Sequence, residues 1–232
     1  DLGISLQNNR PVTAIISESF VVSFDVGMRA IIFAFILGVL LGTVAAIKRG
    51  RPVDTICMFV ALIGVSVPSF IVGSILQYFL GLQLTRAAGT AIFATTGWGA
   101  MNSKILPVFA LGFGSLAQIS RLTRTSMLDV LGQDYIKTAK AKGLSQPAII
   151  WKHPLRNAIM PVETVHGPIT AGVLTGAFVV ENIFAIPGLG RYFVQSIQNL
   201  DYTMISGTTI FYGAFLILAN LVVDLVYGVI DP

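Results

Sequence analysis

Apolar residues run in long blocks parted by short polar stretches, and several blocks have the length of a membrane crossing. Spanning about 30 Å of hydrocarbon at 1.5 Å per residue takes about 20 residues of helix. Five uncharged or nearly uncharged runs approach or exceed that length: 30–47, 55–85, 105–120, 157–180 and 202–230. The first is preceded by Asp25 and Arg29, spaced as neighbours on a helix, so its helix is expected to start a turn or two earlier. The second is longer than one crossing needs, and Gly64, Pro68, Gly73 and Gly81 predict a kinked or tilted helix with an irregular exit. The third continues as helix past Arg121 and Arg124, whose long side chains can reach an interface. The fourth carries Glu163 and His166 near its start, and the fifth carries Asp224, read as structural, near its end.

Composition agrees with the pattern. Of 232 residues 54% are hydrophobic and 11% charged, with a mean hydropathy of +0.80. That excludes a secreted disulfide scaffold, a disordered tail and a soluble enzyme, and identifies an all-α integral membrane chain. The lone cysteine, Cys57, lies in an apolar run and reads as a buried thiol. A net charge of +4 reads as topology rather than as affinity for nucleic acid. Ten of the 15 Lys and Arg residues (48, 49, 51, 121, 124, 137, 140, 142, 152 and 156) fall in two loops on one side, which is therefore cytoplasmic. The N-terminal segment, 1–21, is expected outside and the C-terminus inside. An odd number of spans behind an external start predicts one more span upstream of Asp1, six in all.

The loops are unequal. Residues 48–54 make a tight cytoplasmic turn, whereas the stretch of about 129–157 is too long for a mere connector. Within it Asp134 is a candidate N-cap and Gly143 a candidate helix end, which predicts a helix of about three turns. Ile136, Ala139 and Gly143 share a face of that helix, small enough to let a partner surface approach closely. Outside, residues 86–104 form a flexible loop with Gly89, Gly97, Trp98 and Gly99, and residues 181–201 form an ordered, re-entrant element. No internal repeat or low-complexity tract is visible, and the chain reads as a single transmembrane domain.

The long loop carries a resemblance. Lys137-Thr138-Ala139, then Gly143, then His153-Pro154-Leu155-Arg156 keep the spacing of the Glu-Ala-Ala, Gly, Ile-x-Leu-Pro loop found in transmembrane permeases of binding-protein-dependent ABC importers. Lys137, Thr138 and Arg156 depart from that consensus in the manner of the peptide and nickel branch. Tyr135 to Leu144, His153 to Ala158, Pro161 to Thr164, Glu181 to Gly190 and the ending Asn220 to Asp224 with Tyr227 and Asp231-Pro232 all resemble that branch, and Asp1-Leu2-Gly3 resembles its B-type subunit.

This resemblance implies the type I ABC importer permease fold in a bacterial cytoplasmic membrane. The chain would pair with a second homologous permease, dock two cytoplasmic ATP-binding subunits and receive peptide from an extracellular or periplasmic substrate-binding protein. Tyr135, Thr138, Ala139, Lys140, Gly143, Leu144, His153, Arg156 and Asn157 would form the ATPase-coupling loop. The sequence has no G-x-x-x-x-G-K-[ST], so ATP and magnesium belong to the partner ATPases and this chain carries no cofactor and is not an enzyme. Metalloprotease and serine-hydrolase motifs are equally lacking. Ser66, Ser69, Gln77, Gln118, Glu163, Thr164, His166 and Thr170 are candidates for lining the translocation path, and Gly167, Gly172 and Gly176 form a close-packing face. An ion-coupled secondary carrier is the alternative from another class, but it should show midplane ionisable groups and inverted repeats. Within the family, a nickel-chelate or glutathione permease is the alternative.

Overall fold

The computed structural model describes residues 2–136, 143, 173 and 177–230, without the side chains of 223, 224 and 226–230. They form helices α1 (Val12–Ile47), α2 (Pro52–Ser66), α3 (Ser69–Leu76), a π-helical segment (Gln77–Gln83), α4 (Leu84–Ala88), a 3-10 turn (Met101–Ser103), α5 (Ile105–Leu131), α6 (Phe178–Ile183), α7 (Leu189–Gln198) and α8 (Tyr202–Ile230). The only β pairing among the described residues is one bridge, Ile4 to Pro11. Among the described residues three helical stretches are long and apolar enough to cross a membrane, Val12–Ile47, Met101–Leu131 and Tyr202–Val222, with a fourth if the broken pair Pro52–Ser66 and Ser69–Ala88 is one span. These correspond to the first, third, fifth and second runs of the sequence. The fourth run, 157–180, lies almost wholly outside the described residues.

Two boundaries differ from the sequence expectation. Helix α1 starts at Val12, well before Ala30, and is 36 residues long. Its polar positions do not interrupt it: the Ser19 hydroxyl donates to the Ile15 carbonyl at 2.6 Å, satisfied within the helix, while Val12, Ile15 and Ile16 are buried. The second run is broken rather than kinked. Pro68 has no N–H and forces Val67 into extended backbone (φ −94°, ψ 121°), so α2 stops at Ser66 and a new helix starts at Ser69.

The chain divides into two compact units, one of residues 1–31, 68–112 and 168–232, the other of residues 32–67 and 113–167. In the first unit, Val26, Ala30 and Ile31 of α1 pack with Leu106, Ala110 and Leu111 of α5 and with Val180, Phe184 and Ile186. A second cluster joins Val12, Ile15 and Ile16 to Leu189, Met204 and Tyr212. Phe20 meets both Phe211 and Phe215 edge-on at 4.9 Å, which locks α1 to α8. In the π-helical segment, Gln77 donates both amide protons, to the carbonyls of Thr95 (2.8 Å) and Ile183 (2.9 Å).

The second unit is built on close approach of α1 and α5. Gly38 and Gly42 are four residues apart on α1. A Cβ on Gly42 would lie 2.5 Å from the Ser120 carbonyl oxygen and 2.6 Å from the Thr123 Cβ, and one on Gly38 would lie 2.8 Å from Ile119. Only glycine fits there, as in small-xxx-small contacts between membrane helices. Gly64 of α2 likewise meets Ala117. On the outer side of this unit, α1 exposes Ile32, Ile36, Leu40 and Val44, and α2 exposes Ile56, Phe59 and Leu62, all suited to lipid.

Candidate functional site

The loop that the sequence singles out follows α5, so the position of the last turns of α5 decides where it starts. Pro52, at the first turn of α2, presents Asp54 toward the chain turn that precedes it. There Asp54 Oδ2 accepts a hydrogen bond from the Gly50 N–H at 3.0 Å. Arg124 of α5 closes on the same carboxylate as a fork, Nε to Oδ1 at 2.6 Å and Nη2 to Oδ2 at 2.8 Å. The Asp54 side chain is 7% exposed and that of Arg124 24%. One turn further, Met127 packs on Ala46 with Leu128, Val130 and Leu131 around them. Helix α5 ends at Leu131, the Gly132 N–H bonds the Leu128 carbonyl, and helical backbone resumes at Asp134.

Of the expected coupling residues, Tyr135 is exposed and Gly143 is exposed with φ +77°, the left-handed backbone that glycine adopts freely. A Cβ on Gly143 would meet nothing within 4 Å among the described residues. Ile136, expected on the partner-facing side, is instead buried, at 1% exposure. Thr138, Ala139, Lys140, Leu144, His153, Arg156 and Asn157 lie outside the described residues.

The candidate path-lining residues separate. Gln118 is exposed on α5 and Ser66 is exposed at the end of α2, while Ser69 is half-buried. Gln77 is engaged in bracing the loop at Thr95. Glu163, Thr164, His166 and Thr170 lie outside the described residues. Along α5 from Leu116 onward the exposed positions are Gln118, Arg121, Thr125 and Asp129, spaced by three, four and four residues. They form one stripe, and every member is polar or charged. A groove of about 460 Å³ follows it, lined by Gln118, Arg121, Leu122 and Thr125 with Val65 of α2.

In the first unit the Glu181 to Gly190 motif folds around its own carboxyl group. Glu181 is fully buried; Oε2 accepts the Arg191 N–H at 3.2 Å, and Oε1 has no hydrogen-bond partner among the described residues. A side chain at Gly188 would collide with this carboxylate and one at Gly190 would collide first with Phe178, its backbone included, and then with the carboxylate, which explains both glycines of Pro187-Gly188-Leu189-Gly190. Ser23 of α1 accepts the Leu189 N–H at 2.8 Å and ties the turn to α1. Burial pushes the Glu181 carboxyl above the ordinary glutamate range, against bonds from Ser23, Arg191 and Gly190 that pull it down.

Asp201, just before α8, does the reverse. Burial alone would raise it, but the Ser5 hydroxyl (2.5 Å) and the N–H groups of Met204 (3.1 Å), Leu6 (3.2 Å) and Gln7 (3.3 Å) outweigh that and hold the carboxylate below its ordinary value. It caps α8 and pins the N-terminal turn. A polar pocket of about 250 Å³ beside it is lined by Gln7, Asn8, Tyr192, Gln195, Ser196 and Asn199.

Sequence reasoning had not singled out Asp54, Arg124 as its partner, Gly38 with Gly42, Glu181 as a buried hub, or Asp201. Three of these carried a signal. Gly38-Val-Leu-Leu-Gly42 is a Gly-xxx-Gly motif inside an apolar run. Asp201 before an apolar run is an N-cap signature, and Asp54 follows a helix-starting proline.

With the geometry in view, comparison with known proteins settles the family. Residues 38–232 match the model for the binding-protein-dependent transport system inner membrane component. The chain belongs to that family. This permease is 48% identical, over its whole length and 74% of the relative's, to the dipeptide transport system permease protein DppB of Bacillus subtilis. It is 40% identical to the oligopeptide transport system permease protein OppB of Haemophilus influenzae, again over all of this chain and 75% of the relative. Among solved structures, the inward-facing MetNI methionine ABC transporter aligns with a TM-score of 0.74 at 15% identity, over 96% of the permease and 99% of the matched chain. The likeness is one of fold, the type I ABC importer permease fold. The permease is thus a membrane-embedded, non-catalytic subunit of an ABC importer, and membership implies an importer's partners: an ATPase, a substrate-binding protein and a second permease.

Proposed function

We propose that this permease forms half of the translocation path of an ATP-driven importer of short peptides. The observation that carries this reading is identity of 48% and 40%, over all of this chain and 74% and 75% of the relatives, to permeases named for dipeptide and oligopeptide transport. The loop of 129–157 would dock a cytoplasmic ATPase, and ATP-driven closure of the two ATPases would move it as a lever, alternating access to the path. Orientation follows the charges: Lys48, Arg49, Arg51 and the loop lysines inside, Trp98 and the 181–201 element outside, the C-terminus inside. Asp54 and Arg124 support the lever by fixing the end of α5 from which the loop departs. Gln118 and Ser66 contribute to the path, with Glu163, Thr164, His166 and Thr170 on the fourth run; Gln77 contributes by bracing the loop at its mouth.

The test is reconstitution. The permease, its paired permease, both ATPases and the binding protein are placed in liposomes and given ATP and a radiolabelled di- or tripeptide. Peptide accumulation that needs ATP, binding protein and this permease together is the expected result. A complex that accumulates a nickel chelate or glutathione and no other peptide would overturn the substrate assignment, and uptake driven by an ion gradient without ATP would overturn the class.

A further inference from the structure

The stripe on α5 is anomalous for a membrane helix, and its chemistry points to a ligand. In the same unit, α1 from Ile32 onward exposes only Ile, Leu and Val, and α2 exposes Ile, Phe, Val and Leu between Thr55 near its start and Ser66 at its end, as lipid requires. On α5 they are Gln118, Arg121, Thr125 and Asp129. Uncompensated amide and guanidinium groups facing hydrocarbon each cost several kcal/mol, so such residues face a water-filled cavity or a partner. Snorkelling to lipid headgroups explains an arginine near a helix end, but the deeper side of a snorkelling arginine is apolar. Here the residue one turn deeper on the same face is Gln118, and Thr125 lies one turn the other way. No acidic side chain among the described residues pairs with Arg121, unlike Arg124, whose fork is filled by Asp54.

We propose that Arg121, flanked by Gln118 and Thr125 in the groove they line with Val65, is a carboxylate site on the translocation path, and that its ligand is the free C-terminal carboxyl group of the passing peptide. The inference rests on the peptide-import reading. A guanidinium is a planar fork that matches a carboxylate with two parallel hydrogen bonds, and it keeps its charge at any physiological pH. The neighbouring amide and hydroxyl donate and accept without preference for side chain. A groove of about 460 Å³ with one cation and neutral polar walls therefore recognises what all short peptides share and ignores their sequence. The groove between α5 and Val65 of α2 is open rather than enclosed, so the site holds the carboxyl end weakly enough for release.

The experiment uses the complete reconstituted importer and its own binding protein. Uptake of a tripeptide is compared with uptake of the same tripeptide amidated at its C-terminus, in wild type, Arg121→Gln and Arg121→Lys. The binding protein's own preference is common to all three and cancels. Arg121→Gln should lower the acid-to-amide uptake ratio about tenfold, the scale of one charge-assisted hydrogen bond, and Arg121→Lys should restore part of it. An unchanged ratio, or an equal fall for acid and amide, would overturn the site. So would loss of the paired permease on purification of Arg121→Gln, which would make the stripe a subunit interface. A wild-type dependence on anionic lipid that Arg121→Gln abolishes, with the ratio unmoved, would assign Arg121 to headgroup phosphates instead. If wild type takes up neither tripeptide, the peptide reading itself fails.

Discussion

Arg124 grips Asp54 with Nε on one carboxylate oxygen and Nη2 on the other, at 2.6 and 2.8 Å, and the Gly50 N–H completes the shell of the second oxygen. The pair joins the first turn of α2 to α5 two turns before α5 ends. The two charges are taken from solvent, so removing one is worse than removing both. Asp54→Asn should cost about 2 kcal/mol, less than the about 3 to 5 kcal/mol typical of fully buried pairs because Arg124 keeps partial access to solvent. Asp54→Leu with Arg124→Met should recover most of that loss. Thermal unfolding of the purified permease in detergent measures both, and equal midpoints for wild type and Asp54→Asn would refute the buried-pair account.

The α1–α5 contact predicts a contrast between two helical glycines. Gly42 faces a backbone carbonyl that cannot swing away, whereas Gly213 of α8 has nothing within 4 Å of its would-be Cβ. Gly42→Ala should destabilise by about 1 to 3 kcal/mol through overpacking. Gly213→Ala should be neutral or stabilise by up to about 1 kcal/mol, through reduced freedom of the unfolded chain. Matched thermal melts check the pair, and a tolerated Gly42→Ala would mean that the two helices do not approach this closely.

These two contacts mark where sequence reasoning reached and where it stopped. Hydrophobic run length found the helices because desolvation of the backbone acts residue by residue along a helix and needs no knowledge of neighbours. It placed the start of α1 too late because the count of uncharged residues stops at Arg29 and Asp25, yet these two charges pair with each other at 2.8 Å along the same helix and do not end it. Pro68 was read as a kink; whether a proline bends or breaks depends on whether the chain beyond it has another place to pack, and α3 packs on α6. The loop motif was legible as a local string, and the polar stripe required only that Gln118 be followed three and seven residues on. Asp54 with Arg124, Ser5 with Asp201 and Ser23 with Leu189 are separated by 70 to 196 residues, and no local pattern carries such pairings.

Burial of Glu181 predicts a pH dependence whose sign is fixed. Its folded-state carboxyl titrates above the ordinary glutamate value, so the folded protein holds a proton that the unfolded chain has already lost. That proton's contribution is fully present below the ordinary glutamate value, near 4.5, and is lost as pH rises through the folded value. Glu181→Gln keeps the shape and removes the titration. The stability of wild type relative to Glu181→Gln should therefore fall as pH rises from about 4.5 toward neutrality, then level off. Melts of both proteins across that range test it, and a difference that grows with pH instead would show that the Glu181 site prefers the charged form.

The loop of 129–157 predicts uncoupling without loss of insertion. Gly143 combines two constraints, because a side chain there must adopt φ +77° and must also fit beneath whatever docks on the loop. Among the described residues nothing lies within 4 Å of a Cβ placed there, so in the isolated subunit the backbone cost is the one expected to matter. Asparagine tolerates this backbone and is small, whereas arginine pays the strain and adds bulk. Gly143→Asn should couple nearly as wild type, while Gly143→Arg and Ala139→Trp should insert normally yet weaken ATPase docking. An overpacked contact costs about 1 to 3 kcal/mol, which is roughly a 5- to 150-fold loss of affinity. Lys137→Ala should cost much less, since one positive charge among many serves topology and lipid contact. Substrate-stimulated ATP hydrolysis and co-purification of the ATPases in the reconstituted complex separate these outcomes. Normal stimulation in Gly143→Arg would mean that this loop is not the coupling element, and equal failure of Gly143→Asn and Gly143→Arg would place the defect in the loop backbone rather than in a fitted surface.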